Sequence, residues 1–393
     1  MRILITNGHR NTGLWITRHL GAAGHRVIAT DSRALAFGLK SRYAETFELL
    51  PEPSAPAYGD RLLAVVRRLR PDVLIPVGGI TAISARSEEF ERETAILVPD
   101  GQAFEATIDK ARVYDLCSCL GIPHPRVLGQ DSMAVRQNLP APTNGLPLAV
   151  IKPRRDYGAG QGLVFLRDSE HLDETWLSHS QQFGSLVGSE FVPGPVDAQY
   201  SVQLLFDRNT ELTEFFVLRK LRQWPPGSGI TVEATSSHEF DLVEQMLPLF
   251  ERLRWRGPVE VELKRHAESG DACVIEINPR FSGTVAFPLA AGVDLAGTML
   301  NNSLGRSAPR ALQAYYPAGL HYWNPLPYAR SVLFDLFRAR RLGPGLRGLM
   351  MPLTRRPAGN PYVLDDPSAL LGKFVWQIND SLRGGRSVPE RRG

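Results

Sequence analysis

Residues 259–264 read Val-Glu-Val-Glu-Leu-Lys, a strict alternation that sets Glu260 and Glu262 on one face of a strand. A second strand ends in Glu276-Ile277-Asn278-Pro279-Arg280, so Glu276 and Asn278 share a face as well. Asparagine disfavours strand interiors, and its presence in one calls for a reason. Carboxylates and an amide oxygen brought together from neighbouring strands form a hard, all-oxygen donor set suited to Mg2+. Arg280, two positions further on, lies on the same side, where a guanidinium reaches a phosphoryl group held by that metal. The competing reading is a solvated polar sheet face balanced by Lys264 and Arg265.

Three other stretches have the chemistry of phosphate or heterocycle binding. Residues 149–153 form an apolar strand that delivers Lys152 at its end. Glycines follow at alternate positions, Gly158, Gly160 and Gly162, before a second apolar strand at 163–166. A glycine-rich hairpin lets backbone N–H groups approach phosphate oxygens, with the lysine as point charge; glycine equally suits a plain hairpin tip. Ser189-Glu190-Phe191-Val192-Pro193-Gly194 runs from an apolar strand into a turn and can present backbone groups to a flat heterocycle. Near the N-terminus, residues 7–13 follow a strand and open a helix, the place for a phosphate-binding turn. Their glycines stand as Gly8-x4-Gly13, not Gly-x-Gly-x-x-Gly, although Asp31 ends the next strand where a dinucleotide fold puts its ribose-binding acid. A tight strand-to-helix turn without cofactor is the better reading, and an NAD(P)-dependent oxidoreductase the poorer one.

The elements that must position these groups fall into two styles. Up to about residue 100, strands (2–6, 26–30, 72–76) alternate with helices (12–23, 61–69), which predicts a parallel, doubly wound sheet with ligands beyond the strands' carboxyl ends. Residues 107–120 read as one helix, 130–147 as a loop. Short strands then follow at 148–152, 162–166, 186–192, 200–207 and 213–218, a helix at 239–253, and strands at 259–265 and 272–278. That succession predicts an α+β region packed after the α/β one. Beyond about residue 309 the chain reads as irregular. Over residues 329–393 twelve Arg and Lys face five Asp and Glu, so of the total charge of +4 the tail holds +7 and the rest −3. A pI of 9.0 therefore argues for a basic tail and not for a nucleic-acid surface. With 393 residues, 43% of them hydrophobic, and three cysteines that make neither a disulfide framework nor a zinc pattern, the expectation is a cytoplasmic protein of several domains with no transmembrane segment.

Strand–Lys, Gly-rich hairpin, Glu-hydrophobic hinge and Glu…Glu-x-Asn-Pro-Arg occur in one order over about 170 residues, and together they resemble the ATP-grasp superfamily. The likeness is strongest over 109–305, and residues 276–283 with Gly292-Val293-Asp294 are similar to its carbamoyl-phosphate-synthase-like, predicted carboligase branch. It implies a pre-ATP-grasp domain at 1–105, a small lobe with the glycine flap at 106–185, a large lobe with the Mg2+ site at 186–310, and a basic extension at 311–393. It implies Lys110, Lys152 and the loop at 157–162 as phosphate contacts, and Glu190, Phe191 and Val192 as the hinge that reads adenine. Asp197 or Gln199 is implied at the ribose, Glu262, Glu276 and Asn278 as Mg2+ ligands (Mn2+ substituting), Arg280 on the transferring phosphoryl group, and Lys220 as a further γ-phosphate or acyl-phosphate contact.

The implied activity is an ATP-dependent carboxylate–amine (or thiol) ligase acting through an acyl phosphate. The alternatives are a bicarbonate- or carbamate-activating carboxylase type and a non-catalytic nucleotide-binding protein. Arg219, Arg222, Trp224 and residues 225–230, together with Ser282, Gly283 and Thr284, are candidates for the acceptor pocket, and His9 and Arg10 for binding a carboxylate. Expected partners are small-molecule carboxylates and amines, with a homodimer possible. Residues 328–341 carry apolar positions at helical spacing and end in arginines, which fits an interfacial helix or packing on the body equally. The last ten residues read as a disordered end.

Overall fold

Buried apolar runs at the start of the chain become strands β1 (Arg2–Ile5), β2 (Arg26–Asp31), β3 (Ala44–Leu49) and β4 (Val73–Ile75). The computed structural model describes residues 1–143, 145–155, 160–354, 358 and 365–382. The four strands form a parallel sheet in the order β3-β2-β1-β4. Ile3, Leu4, Val27, Ile28, Val73 and Leu74 are wholly buried, as strands covered on both faces require. Strand order reverses between β1 and β4, which opens a crevice beyond their carboxyl ends. The edge strand β3 carries exposed polar side chains and gives no apolar run to betray it in the sequence.

The helix expected over 107–120 is two helices, Gly101–Ile108 and Lys110–Leu120, broken at Asp109. Asp109 adopts an extended backbone, and its carboxylate accepts from the Ala111 and Arg112 amides. It thereby caps the second helix and sets Lys110 in its first turn.

Four antiparallel strands follow, β5 (Val127–Gly129), β6 (Ala149–Pro153), β7 (Val164–Leu166) and β8 (Leu186–Ser189), in the order β5-β8-β6-β7. The small-lobe sheet thus runs to Ser189, past the expected division at 185/186. Part of the supposed loop 130–147 is a helix, Ser132–Asn138, capped by Asp131, and Leu172–Phe183 is a helix the sequence reading passed over.

The large lobe is a six-stranded antiparallel sheet, β13-β12-β9-β10-β11-β14, of β9 (Gln199–Phe206), β10 (Leu212–Trp224), β11 (Ile230–Ser237), β12 (Gly257–Arg265), β13 (Ala272–Asn278) and β14 (His321–Trp323). β10 runs six residues beyond the expected end at 218, and β14 adds an edge from beyond residue 310. The principal core forms on this sheet, around Phe215, Phe216, Phe250, Trp255 and Phe287.

The stretch beyond residue 309 is not irregular. It forms helix Pro325–Leu333, which passes into a wider π-turn segment, Phe334–Arg338, then helices Leu342–Thr354 and Pro367–Leu382. The last of these docks on the first domain: Arg18 donates to Asp366 (3.0 Å) and Asp365 (2.8 Å), Ser41 donates to Asp366, and Ala369 packs with Leu14 and Phe37. The end of the stretch expected as a basic extension therefore closes back on the first domain. Residues 384–393, expected as a disordered end, lie outside the described residues.

Candidate functional site

β12 and β13 pair so that Glu260 faces Asn278 and Glu262 faces Glu276. Alternation alone would align these four side chains; the register makes them two cross-strand pairs. Each carboxylate of the second pair meets a lysine. Lys110 Nζ lies 2.7 Å from Glu276 Oε1, and Lys220 Nζ lies 2.8 Å from Glu262 Oε1. Arg280 Nη2 donates to Asn278 Oδ1 at 3.0 Å. Burial and the neighbouring Glu260 and Glu276 raise the Glu262 pKa, with Lys220 opposing them. Burial also acts to raise Glu276, but Lys110, Lys152 and Arg280 outweigh it and hold that carboxyl below the usual range.

Glu260, which the sequence reading left out of the metal set, is buried and anchored by hydroxyls. Ser201 Oγ (2.6 Å) and Ser282 Oγ (2.7 Å) both donate to Oε1. The Ser282 hydroxyl, expected in the acceptor pocket, is therefore spent on Glu260 and on Thr284 at 2.9 Å, while Gly283 beside it is exposed on the cavity wall.

Glu260, Glu262, Glu276, Asn278 and Arg280 floor a cavity of about 850 Å³ that extends to the carboxyl ends of β1 and β4. One wall is apolar: Pro125, Val150, Phe165, Phe191, Val192 and Ile275. Phe191 meets Phe165 edge-on at 5.8 Å, and Lys264 Nζ sits 4.7 Å from the Phe191 ring centre. Glu190 gives its backbone N–H to the Arg126 carbonyl (2.9 Å), and its carboxylate pairs with the Arg126 guanidinium (2.6 Å). Of the two candidates for a ribose, Gln199 lines the cavity; Asp197, in the short turn Val196–Ala198, is not among its lining residues.

Lys152 ends β6 inside the protein, with Nζ against the Tyr114 hydroxyl and 4.9 Å from its ring centre. Tyr114 donates in turn to the Ile275 carbonyl at 2.9 Å, tying the lysine's support to β13. Burial pushes the Lys152 pKa down to about 7, with Lys110 adding to the drop and Glu276 opposing it.

Within the glycine-rich loop, Gly158 lies outside the described residues. Gly160 and Gly162 have φ of +69° and +73°. A Cβ on Gly160 would fall 2.0 Å from the Ser228 carbonyl oxygen, so only glycine lets this loop touch residues 227–231, which line the opposite side of the cavity. Gln223 also lines it, is 6% exposed, and leaves Oε1 without a hydrogen-bond partner among the described residues.

Other expected acceptor residues lie elsewhere. Arg222 is held by Asp335, by Ser331 Oγ at 3.0 Å and by the Pro344 carbonyl at 3.1 Å, so it anchors the C-terminal helices. Neither it nor Arg219 is among the cavity-lining residues. Lys220, expected on a phosphate, is 2% exposed and likewise off the wall, behind Glu262.

At the first-domain end the wall includes Asn7, His9, Arg10, Arg33, Gly78 and Gly79. Asp31 accepts from the His9 amide (2.8 Å) and the Arg33 amide (2.9 Å) and sits 2.7 Å from His9 Nδ1. It is consumed in shaping its own loop and does not stand as a ribose-binding acid. Gly13 is needed for packing, since a Cβ there would lie 2.6 Å from the Asn7 carbonyl oxygen. Both findings favour the cofactor-free turn. Thr12 Oγ1 donates to the Ser282 carbonyl at 3.1 Å, so the first domain abuts the loop that follows β13.

Glu260, Gln223, Tyr114 and Lys264 are the lining or supporting groups that sequence reasoning did not place in the site. Lys264 had a visible signal, because it continues the face of Glu260 and Glu262 at i+2. Among the described residues no three His, Cys, Asp or Glu side chains form a metal-holding group. A divalent cation here would take Glu262, Glu276 and the Asn278 oxygen, and the crowding that raises Glu262 is the strain such a cation relieves.

Residues 186–322 match the family described as "ATP-grasp in the biosynthetic pathway with Ter operon". The chain is 32% identical over 154 residues to the formate-dependent phosphoribosylglycinamide formyltransferase of Synechococcus sp. (strain CC9902), covering 39% of this chain and 37% of that one. It is 25% identical over 291 residues to the carbamoyl phosphate synthase large chain of Thermomicrobium roseum, covering 70% of this chain and 26% of that one. The matches thus span little more than a third of the first relative and about a quarter of the second. Among solved structures, the fold resembles N5-carboxyaminoimidazole synthetase from Staphylococcus aureus complexed with ADP (TM-score 0.65, 15% identity, 86% of each chain). It also resembles a biotin carboxylase–β-γ-ATP complex from Campylobacter jejuni (TM-score 0.64, 17% identity, 81% of this chain and 74% of that one).

Proposed function

From the premise that the chain carries an ATP-grasp domain, we propose that it is a Mg2+-dependent ligase that activates a carboxylate at the expense of ATP and passes it to an amine or thiol. The observation that carries this reading is the meeting of Lys152, Glu262, Glu276, Asn278 and Arg280 on the wall of one cleft that continues to the first domain's strand ends, with Lys110 paired to Glu276. A carboxylate oxygen attacks the γ-phosphorus, the bond to the β-phosphate oxygen breaks, and ADP departs. The amine nitrogen then attacks the acyl carbon, phosphate leaves with the former carboxylate oxygen, and the amine proton passes to solvent.

Glu262, Glu276 and Asn278 would hold Mg2+, which supplies charge neutralisation on the phosphates. The chain's own residues position and shield. Phe191, Val192 and Ile275 sandwich a base, Gln199 reaches a ribose, and Lys152 and Lys110 compensate phosphate charge. Arg280 steadies the transferring group, whose spread negative charge is what catalysis must stabilise. The loop around Gly160 and Gly162, seated on residue 228, excludes water from a hydrolysable acyl phosphate. Lys220 acts through Glu262 as a positioning residue. His9, Arg10 and Arg33 offer an anionic co-substrate a place at the first domain.

A second reading, in which the activated acid is a one-carbon species, draws on the names of the relatives, formate-dependent formyltransferase and carbamoyl phosphate synthase. ADP release from Mg2+-ATP, measured with pooled amino acids, with bicarbonate and with formate, separates the two. Dependence on amino acids supports the first and dependence on bicarbonate or formate the second; AMP with pyrophosphate would contradict both.

A further inference from the structure

Helix Leu342–Thr354 is oriented contrary to the usual rule for a surface helix. The side it packs on the body is made of Gly345, Gly348 and Met351, while Leu342, Leu346, Leu349 and Met350 face out. The glycines are required there: a Cβ on Gly345 would fall 2.4 Å from Leu336, and one on Gly348 2.6 Å from Val332. Leu342, Leu346, Leu349 and Met350 are each more than half exposed. At 3.6 residues per turn they fill one arc of about 100°. The preceding segment adds Leu333 (51% exposed) and Phe337 (75%). The helix is clamped in this orientation, since Tyr328 donates to the Gly348 carbonyl at 2.8 Å and Arg222 holds the Pro344 carbonyl.

Around these apolar side chains stand Arg330, Arg338, Arg340, Arg341 and Arg347, all exposed, and none forms an ion pair with a described residue. The one acid between residues 325 and 354, Asp335, is buried and neutralised by Arg222. Apolar bulk among unpaired arginines needs an occupant that is both greasy and anionic. A second copy meeting this face across a two-fold axis would bring the same arginines together. Residues 355–364 and 383–393 carry net charges of +2 and +3 and are repelled in the same way.

We propose that residues 330–350 form a docking face for an anionic lipid bilayer, with the leucines and Phe337 entering the headgroup boundary and the arginines resting on lipid phosphates. The face is wired to the cleft. Trp224, at the end of β10, packs edge-on against Phe334 at 5.4 Å, and the cavity-lining residues 227–231 begin three positions later. The acceptor side of the cleft is thereby held next to the bilayer.

The test is sedimentation of the purified full chain with vesicles of phosphatidylcholine alone and of phosphatidylcholine and phosphatidylglycerol in roughly equal parts. The expected result is binding to the mixed vesicles only, weakened by salt. Each arginine near the surface multiplies the partition constant about fivefold, so Arg338→Gln with Arg340→Gln lowers it about 25-fold. Leu346→Asp with Leu349→Asp abolishes binding without altering melting temperature, because both side chains already face water. Equal binding to neutral vesicles, binding that survives the leucine variant, or no binding with a self-association that Leu346→Asp abolishes would each overturn the proposal.

Discussion

Lys220 Nζ lies 2.8 Å from Glu262 Oε1, with the lysine buried and the glutamate on the cavity wall. A buried lysine pays its desolvation only through a partner, so the pair holds Glu262 in place from behind. Lys220→Met should cost about 3 kcal/mol of stability, the lower part of the range for breaking a buried ion pair, in the presence of EDTA. Mg2+-ATP should restore part of the melting temperature, because a cation then takes over the role of the ammonium. A variant of unchanged melting temperature with turnover lost would instead put Lys220 on a phosphate.

Lys152 titrates near 7 in the folded protein against an ordinary 10.5. Between those values the folded chain binds fewer protons than the unfolded one, so stability without nucleotide should rise with pH across that window. Phosphate binding favours the ammonium form, and nucleotide binding above pH 7 should therefore take up a proton. Calorimetry in buffers of different ionisation enthalpy measures this uptake, and Lys152→Met should abolish it. Binding without uptake at pH 8 would mean that phosphate does not meet this lysine.

Gly160→Ala places a methyl where the Ser228 carbonyl stands and forces a left-handed backbone on alanine, a cost of roughly 1 kcal/mol. The loop should seat poorly while the nucleotide wall stays intact. Nucleotide affinity should change less than about threefold, and ADP released without ligated product should rise relative to product. An unchanged ratio would show that this contact does not shield the intermediate.

Arg222→Leu removes the anchor of Asp335 and of the helix at 342–354. The melting temperature should drop, while KM for the co-substrates stays within about twofold. A selective rise in one KM would return Arg222 to the acceptor pocket.

The shared polar face of β12 and β13 was legible because period-two alternation is local: Glu262, Glu276 and Asn278 need only their own strands to be aligned. Strands β1, β2 and β4 of the first sheet were legible from continuous apolar runs such as residues 3–5, which are equally local. What failed needed distant partners. Arg222 looked like a pocket arginine because Asp335 stands 113 residues away. Ser282 does line the cavity, but its hydroxyl donates to Glu260, a partner 22 residues earlier that no local pattern shows. β11 was hidden behind Pro225-Pro226-Gly227, whose turn chemistry dominated the reading, and it gains strand structure only by pairing with both β10 and β14. The helix at 342–354 was hidden because its inward side is Gly345, Gly348 and Met351 and its outward side leucine, the reverse of the pattern by which helices are recognised.

An acyl phosphate made in the cleft would be trapped by hydroxylamine as a hydroxamate. The most direct measurement is incubation of the full chain with Mg2+-ATP, pooled carboxylates and hydroxylamine, counting ADP against hydroxamate in the wild type and in Glu276→Gln. Equal amounts of ADP and hydroxamate are expected from the wild type. In the folded variant they should fall by at least about a hundredfold, the scale of losing one charge-stabilising group at a transition state. AMP in place of ADP, or hydroxamate formation untouched by Glu276→Gln, would contradict the account.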